Sequence, residues 1–277
     1  MKNFRHAVLA TAALVVLASA VRPSPAMGSG PLSHWSFDET SGSIAFDTGS
    51  AGHDGILAGG AVFAPGAGIS GGAIFFDQAA SSYVTMGDVL GPTEISGGVF
   101  SISAWIRTSR PGSDNQVYVG KHKAGFLNGY QLSANFNAGT GGTAGHAWFY
   151  VSNPPGNLPI STSVVNDDVW HHVVGVYDPA GSNLVTIYVD GAPAEASVAP
   201  STHVDNTVPF MVGGHCDSDG DPVGIFHGWI DEVSVWAGAL TAGEVDALFH
   251  EYVLFRDGFE GGNVCSWSEA AGAPACS

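Results

Sequence analysis

Cationic side chains are scarce in this chain. Eight Lys and Arg stand against 25 Asp and Glu in 277 residues, a formal net charge of −17. That balance excludes nucleic acid and anionic membrane as partners, because both are gripped through clustered Lys and Arg. Charged residues of either sign reach only 12%, while 45% are hydrophobic, the opposite of a disordered chain. Glycine is abundant at 39 positions but shows no G-x-y period, which excludes a collagen-like helix. Only three cysteines occur, with no C-x-x-C or Cys/His zinc spacing. No apolar run reaches the ~20 residues needed to span a bilayer.

What is present at the N-terminus is an export pattern. Lys2 and Arg5 precede the apolar run Ala7 to Ala18, and Ala18-Ser19-Ala20 follows as an A-x-A cleavage site. Residues 1–20 therefore read as a signal peptide and 21–30 as a flexible lead-in. Its removal takes Lys2 and Arg5, so six of the eight cations remain. The expected location is secreted or cell-surface, with no membrane insertion after cleavage. In that compartment Cys265 and Cys276 are the natural disulfide pair, leaving Cys216 as a buried or reactive thiol.

From residue 31 to about 236, short alternating segments are separated by Gly, Pro, Asn and Asp clusters. In Phe100 to Ile106, the residues Phe100, Ile102, Ala104 and Ile106 share one face; Val185, Ile187 and Val189 do the same within Leu184 to Asp190. Period-two patterning with frequent turn signals marks an all-β sandwich or barrel. Asn128-Gly129 and Asp190-Gly191 are hairpin dipeptides. One short helix is predicted, Ala242 to Phe249, behind the T-x-x-E capping box of Thr241 and Glu244. The division is a single domain over 31–250 and a tail over 251–277.

Seven segments in order resemble LamG-like jelly-roll domains of the concanavalin A-like class. They are His34-Trp35-Ser36-Phe37-Asp38-Glu39 with Gly42 and Asp47; Ala73-Ile74-Phe75-Phe76-Asp77 with Tyr83-Val84; and Phe100 to Ile106. Trp170 to Asp178, Ile187 to Gly191, Gly228 to Val233 and Leu240 to Val245 complete the set. The resemblance implies a sandwich of two antiparallel sheets and a binding role toward glycans, proteins or surfaces, often with calcium. Phe255 to Asn263 with Ser266-Trp267-Ser268 resembles a "DGFESGD…WS" ending of exported bacterial proteins.

Catalysis finds little support. Glycosidases of this sandwich class share an E-x-D-x-E strand that puts carboxylates on one face, and none occurs here. Asp38-Glu39, Asp167-Asp168 and Asp231-Glu232 are adjacent, so on a regular strand they face opposite ways. Gly68-Ile69-Ser70-Gly71-Gly72 matches the nucleophile elbow G-x-S-x-G, but a strand follows where the elbow needs a helix. His171 and His172, as neighbours on a strand, cannot chelate one ion together.

Asp231 is flanked on its face by Trp229 and Val233, so its carboxylate needs a cation, a proton or backbone amides. With cations scarce, a structural calcium with Asp38, Glu39 and Asp47 as co-ligands is one expectation; amide capping is the alternative. Asp217-Ser218-Asp219-Gly220-Asp221 begins like a calcium loop, yet Pro222 and Gly228 stand where Gly and Glu belong, so a solvated turn is expected. Trp105 is expected to be covered, whereas Asn135, Asn137, Trp148 and Tyr150 form the candidate ligand surface. The leading expectation is a non-catalytic module binding carbohydrate or a surface polymer. A structural or adhesive cell-surface protein with a protein partner is the alternative, and a polysaccharide hydrolase the third.

Overall fold

The structure is a computed structural model and describes residues 30–256, apart from 96–97, 111–114, 127, 135–143 and 153–157. The proposed signal peptide, the Cys265–Cys276 pair and the tail beyond residue 256 lie outside the described residues, as do Asn135 and Asn137. The described residues form two eight-stranded antiparallel sheets and one α-helix, with a small hairpin of His215–Cys216 and Pro222–Val223.

The first sheet runs Ala196–Val198, Leu184–Val189, His171–Asp178, Phe100–Arg107, Gly228–Trp236, Ala73–Phe76, Val62–Ala64. Ser33–Trp35, at the start of the described chain, also pairs with Gly228–Trp236, the last strand. The second sheet runs Ile160–Val164, His146–Val151, Tyr130–Ala134, Gln116–Lys121, Met211–Val212, Tyr83–Thr85, Gly55–Ala58, Ile44–Ala45.

Alternation decides which side chains enter the core. Phe100, Ile102, Ala104 and Ile106 point inward, as the sequence pattern requires, and meet Tyr130, Leu132, Phe149 and Val151 of the opposite sheet. Phe100 lies 4.8 Å from Tyr130 and 5.4 Å from Tyr177, ring centre to ring centre. Gly175 faces Phe149, where an added Cβ would come within 2.5 Å of the ring, so the sheets approach too closely there for a side chain.

The helix spans Ala242–Arg256, longer than the segment ending at Phe249 that its stripe suggested, and it runs through the boundary drawn at residue 250. The physical reason is that Phe249, Tyr252 and Val253 continue the apolar face onto Trp105 and Trp170. Its capping box forms as expected. Thr241 N–H donates to Glu244 Oε2 at 2.8 Å, and Glu244 N–H donates to Thr241 Oγ1 at 3.3 Å.

Candidate functional site

A sandwich has two outer faces, and here they differ in kind. The outer face of the first sheet lies beneath the helix. Val174, Val176, Tyr188 and Trp236 pack on Leu240, Val245 and Leu248, while Trp105, His172 and Phe249 form a three-ring cluster, Trp105 lying 5.1 Å from His172 and 5.7 Å from Phe249. Trp105 is thus covered, as expected. His172 is fully enclosed there, and burial pushes its pKa down to about 4, so its ring is neutral.

Asp231 and Glu232 also belong to this covered side. The pairing of the last strand with Phe100–Arg107 shifts register between Asp231 and Ser234, and Glu232 takes a left-handed φ of 47°. That bulge overturns the expectation that the two carboxylates face opposite ways. Glu232 Oε2 accepts from Tyr252 Oη (2.9 Å) on the helix and pairs with His34 Nε2 (2.7 Å). Asp231 Oδ2 accepts from Ile69 N–H (2.9 Å) and Ser70 N–H (3.3 Å), and Oδ1 from Glu232 N–H (2.8 Å). Ser70 thus caps Asp231 through its backbone N–H, and the strand Ala73–Phe76 follows the 68–72 loop. Full burial, reinforced by the neighbouring Glu232 charge, pushes the Asp231 carboxyl up to about 9 against the pull of those three amides.

The expected calcium set is not brought together. Asp47 accepts backbone N–H from His34, Gly49 and His53, each at 2.7 Å. Asp38 Oδ1 accepts from Gly72 N–H (2.7 Å), and Glu39 Oε1 from Phe46 N–H (2.7 Å). Asp231 and Asp38 both cap the 68–72 loop, while Asp47 and Glu39 serve other backbone N–H groups. Among the described residues no group of three or more His, Cys, Asp or Glu is placed to hold a metal ion. The donor set does not fit calcium, and amide capping is the outcome for Asp231. The 217–221 segment is a turn closed on itself, Asp217 Oδ1 accepting from Asp219 and Asp221 N–H.

The outer face of the second sheet carries the chemistry. Reading across directly paired positions, one row runs Tyr150, Gln131, Gly120, Met211, Thr85, Ile56, Ile44. The adjacent row runs Trp148, Ser133, Val117. Their strand neighbours Phe149, Leu132 and Tyr130 are in the core, so Trp148, Tyr150, Gln131 and Ser133 point outward together. His122 stands edge-on to Tyr150 (4.9 Å) and stacks on His215 (5.2 Å), which the small hairpin brings in. Burial lowers the pKa of both imidazoles, that of His215 to about 4, so these two rings are neutral at neutral pH. Cys216, adjacent, is a buried free thiol 3.6 Å from the Met211 sulfur.

Among the described residues, Gln131 Oε1, Ser133 Oγ and His215 Nδ1 on this face are buried without a hydrogen-bond partner. Unpaired buried polar groups are costly and rare, and a cluster of them calls for a ligand or ordered water. Trp148 and Tyr150 were singled out from sequence and do share this face, but at 1% and 9% exposure they form its floor and not a projecting platform. Gln131 and Ser133 were not singled out from sequence, although the alternation of Tyr130-Gln131-Leu132-Ser133 offered the signal. His122 and His215 gave no such signal, because turns and a separate hairpin deliver them.

Residues 78–246, more than half of the chain, match the concanavalin A-like lectin/glucanases superfamily. A comparison with curated protein sequences finds no match. Among solved structures, domain 4 of AbnA, a GH43 extracellular arabinanase from Geobacillus stearothermophilus in complex with arabinotriose, superposes with a TM-score of 0.56 at 21% identity, over 79% of this chain and 97% of that one. The binding domain of Paraclostridial Mosquitocidal Protein 1 gives 0.57 at 14% identity, over 80% of this chain and 52% of that one. Trypanosoma rangeli sialidase in complex with the inhibitor DANA gives 0.54 at 15%, over 80% and 33%. The chain thus spans about half and a third of the latter two. These likenesses establish the fold. The match over residues 78–246 shows that the chain belongs to the concanavalin A-like lectin/glucanases superfamily.

Proposed function

We propose that this protein is an exported, non-catalytic carbohydrate-binding module whose ligand, a neutral glycan or surface polymer, docks on the outer face of the second sheet. The carrying observation is the set of buried Gln131 Oε1, Ser133 Oγ and His215 Nδ1, without partners among the described residues, beside Trp148 and Tyr150. Aromatic surface with a few convergent amide, hydroxyl and imidazole groups suits a sugar, whose C–H faces stack while its hydroxyls both donate and accept. The strand positions on this face include no acidic side chain, so a glycosidic bond lying there would meet no carboxylate pair. The arabinotriose complex of the AbnA domain supports the same ligand class. Export is supported by the Lys2, Arg5 and Ala7 to Ala18 pattern.

The test is binding of the full mature chain to a panel of neutral polysaccharides. Gln131→Leu and Ser133→Ala should each weaken binding about tenfold, the effect of losing one hydrogen bond, with the melting temperature held. Tyr150→Ala should weaken it further. Binding unchanged in all three variants would remove this face from consideration.

A protein-binding, adhesive reading has one observation of its own. Ile44 and Ile56, directly paired at the far end of the same row, are 45% and 58% exposed, and Phe46 beside them is 54% exposed. If that edge holds a protein partner, Ile56→Asp should abolish cell-surface adhesion while polysaccharide binding persists. Adhesion insensitive to Ile56→Asp excludes it.

A further inference from the structure

We infer that His171 is a proton-operated clasp at one end of the first sheet. With both ring nitrogens protonated it ties the 166–169 loop to the turn at Asp190; with one proton lost, it lets the loop go. The ring bridges two carboxylates from different elements. Nδ1 lies 2.8 Å from Asp190 Oδ2, and Nε2 lies 3.0 Å from Asp167 Oδ1. The His171 side chain is 11% exposed, against 34% for Asp190 and 50% for Asp167. Asp190 follows the strand Leu184–Val189, while Asp167 belongs to the loop that leads into His171–Asp178. Val169 of that loop and Asp190 both line a cavity of about 190 Å³ between the helix and the first sheet, so the clasp joins two parts of its rim.

The number of protons decides how many of these bonds exist. A carboxylate only accepts, so each of the two needs an N–H, and an imidazole has two only as the cation. The neutral ring keeps one. It stays on Nδ1, because Asp190 is the fixed partner: its Oδ1 accepts His172 N–H at 2.9 Å, and its bond to the ring is the shorter of the two. Nε2 then turns a lone pair toward Asp167 Oδ1, acceptor against acceptor. Asp167 is half exposed, so water can take over its carboxylate. The same Oδ1 accepts Val169 N–H at 3.1 Å, so its departure undoes the turn that sets Val169. Asp168, between them, holds a left-handed φ of 66°, costly for a residue other than glycine, and that strain favours release. The loop stays tethered on its other side. Asp168 N–H donates to Thr108 O (2.9 Å), and Arg107 Nε donates to Asp168 O (2.9 Å) and Oδ1 (3.0 Å).

The other charged groups around the ring leave this sign unchanged. On its own strand His172 is enclosed and neutral, its pKa lowered to about 4 by burial. On the strand Phe100–Arg107, His171 pairs with Ile106, and the next residue, Arg107, is turned to Asp168. The helix brings Asp246 against Gly191, with His250 Nδ1 3.6 Å from its carboxylate. Burial pulls the His171 pKa down, but the bonds and charges of Asp190 and then Asp167 outweigh it and leave the pKa raised. Asp167, which burial would raise, is lowered by its bond to His171. The folded chain therefore holds this proton more tightly than the unfolded chain. The contribution of the clasp is complete below the ordinary imidazole value, about 6.5, and is lost as the pH rises through the raised one.

The clasp belongs to the first sheet and does not depend on the glycan reading of the second. The test follows the ring nitrogens of the full mature chain labelled with ¹⁵N-histidine, together with amide exchange at Val169 and His172, from about pH 5.5 to 8.5. His171→Gln identifies the ring signals. His171 should carry protons on both nitrogens at the acid end and pass to the Nδ1–H form at a pH above the ordinary imidazole value. Across the same step the protection of Val169 N–H, corrected for the intrinsic rise of exchange with pH, should fall about tenfold, the loss of one charged hydrogen bond. His172 N–H, held by Asp190, should keep its protection. Asp167→Asn supplies a side chain that accepts from the charged ring and can donate to the neutral one. In that variant the protection step should vanish and the His171 titration should move down, because one carboxylate is gone. A ring already neutral at the acid end, Val169 protection that does not change, a step that survives Asp167→Asn, or loss of protection at His172 in place of Val169 would each overturn the clasp.

Discussion

Asp231→Asn should gain stability relative to the wild-type protein as the pH rises, by up to about 1.4 kcal/mol for each pH unit. The carboxyl is enclosed, with Glu232 beside it and Tyr252 and His34 beyond, and holds its proton up to about pH 9. An unfolded aspartate releases its proton near pH 3.9. Between those values the folded chain carries one proton more than the unfolded chain. Stability from this group is therefore full below about pH 4 and falls as the pH rises toward 9.

Asn is nearly isosteric and has no proton to release, so its curve lacks this component. Its amide has one acceptor oxygen where the carboxyl has two, so either Glu232 N–H or the Ile69 and Ser70 pair loses its acceptor, an offset independent of pH. The window to use is pH 7 to 8.5. The buried His122, His172, His203 and His215, whose pKa values are lowered, add a slope of the opposite sign below it in both proteins alike and drop out of the difference. His171, whose pKa is raised, contributes equally to both proteins and cancels in the difference. Across that window the melting-temperature gap should widen by about 3–6 °C per pH unit. Parallel curves for the two proteins would mean that Asp231 is ionised in the fold.

The same residue shows what the sequence made legible. Phe100 to Ile106 and Leu184 to Val189 announced themselves because a buried strand imposes a period of two that composition cannot disguise. The capping box was equally plain, since its two side chains act within one turn. Asp231's partners were invisible for the converse reason. Ile69 and Ser70 donate through backbone N–H, which nearly every residue possesses, and they lie 162 and 161 positions away. A shortage of Lys and Arg pointed to a metal, while the need was met by a loop. That loop is the glycine-rich 68–72 segment that mimics a nucleophile elbow. At Gly68 a Cβ would sit 2.4 Å from Asp231 Oδ2 and 1.9 Å from Gly72 O, so glycine there serves close approach to the carboxylate. On the candidate ligand face Trp148 and Tyr150 were picked out from sequence; Gln131 and Ser133 were missed although they alternate along one strand in the same way, whereas His122 and His215 meet only through tertiary folding.

Asp47→Ala should lower stability by about 2–4 kcal/mol, or about 5–15 °C in melting temperature. The carboxylate gathers the N–H groups of His34, Gly49 and His53, each at 2.7 Å, and alanine would leave all three without an acceptor. Partial solvent access at these positions holds the cost below three full charge-assisted bonds. The consequence reaches beyond the loop. His34 lies in the strand Ser33–Trp35, which pairs with Val233 to Val235 of the last strand, and Trp35 carries that connection into the core by stacking on Phe210 at 5.6 Å. Hydrogen exchange at Leu32 N–H, which donates to Val235 O at 2.8 Å, should accelerate in the variant before exchange at the Phe100–Arg107 strand does. Asp47→Asn keeps one acceptor oxygen and should fall between. A calcium-clamped terminus would behave differently: chelator would reproduce the alanine variant's loss in the wild-type protein. With amides as the ligands of Asp47, chelator should leave the wild-type melting curve where it is. A shift of several degrees on chelation would overturn the amide-capped account of this corner.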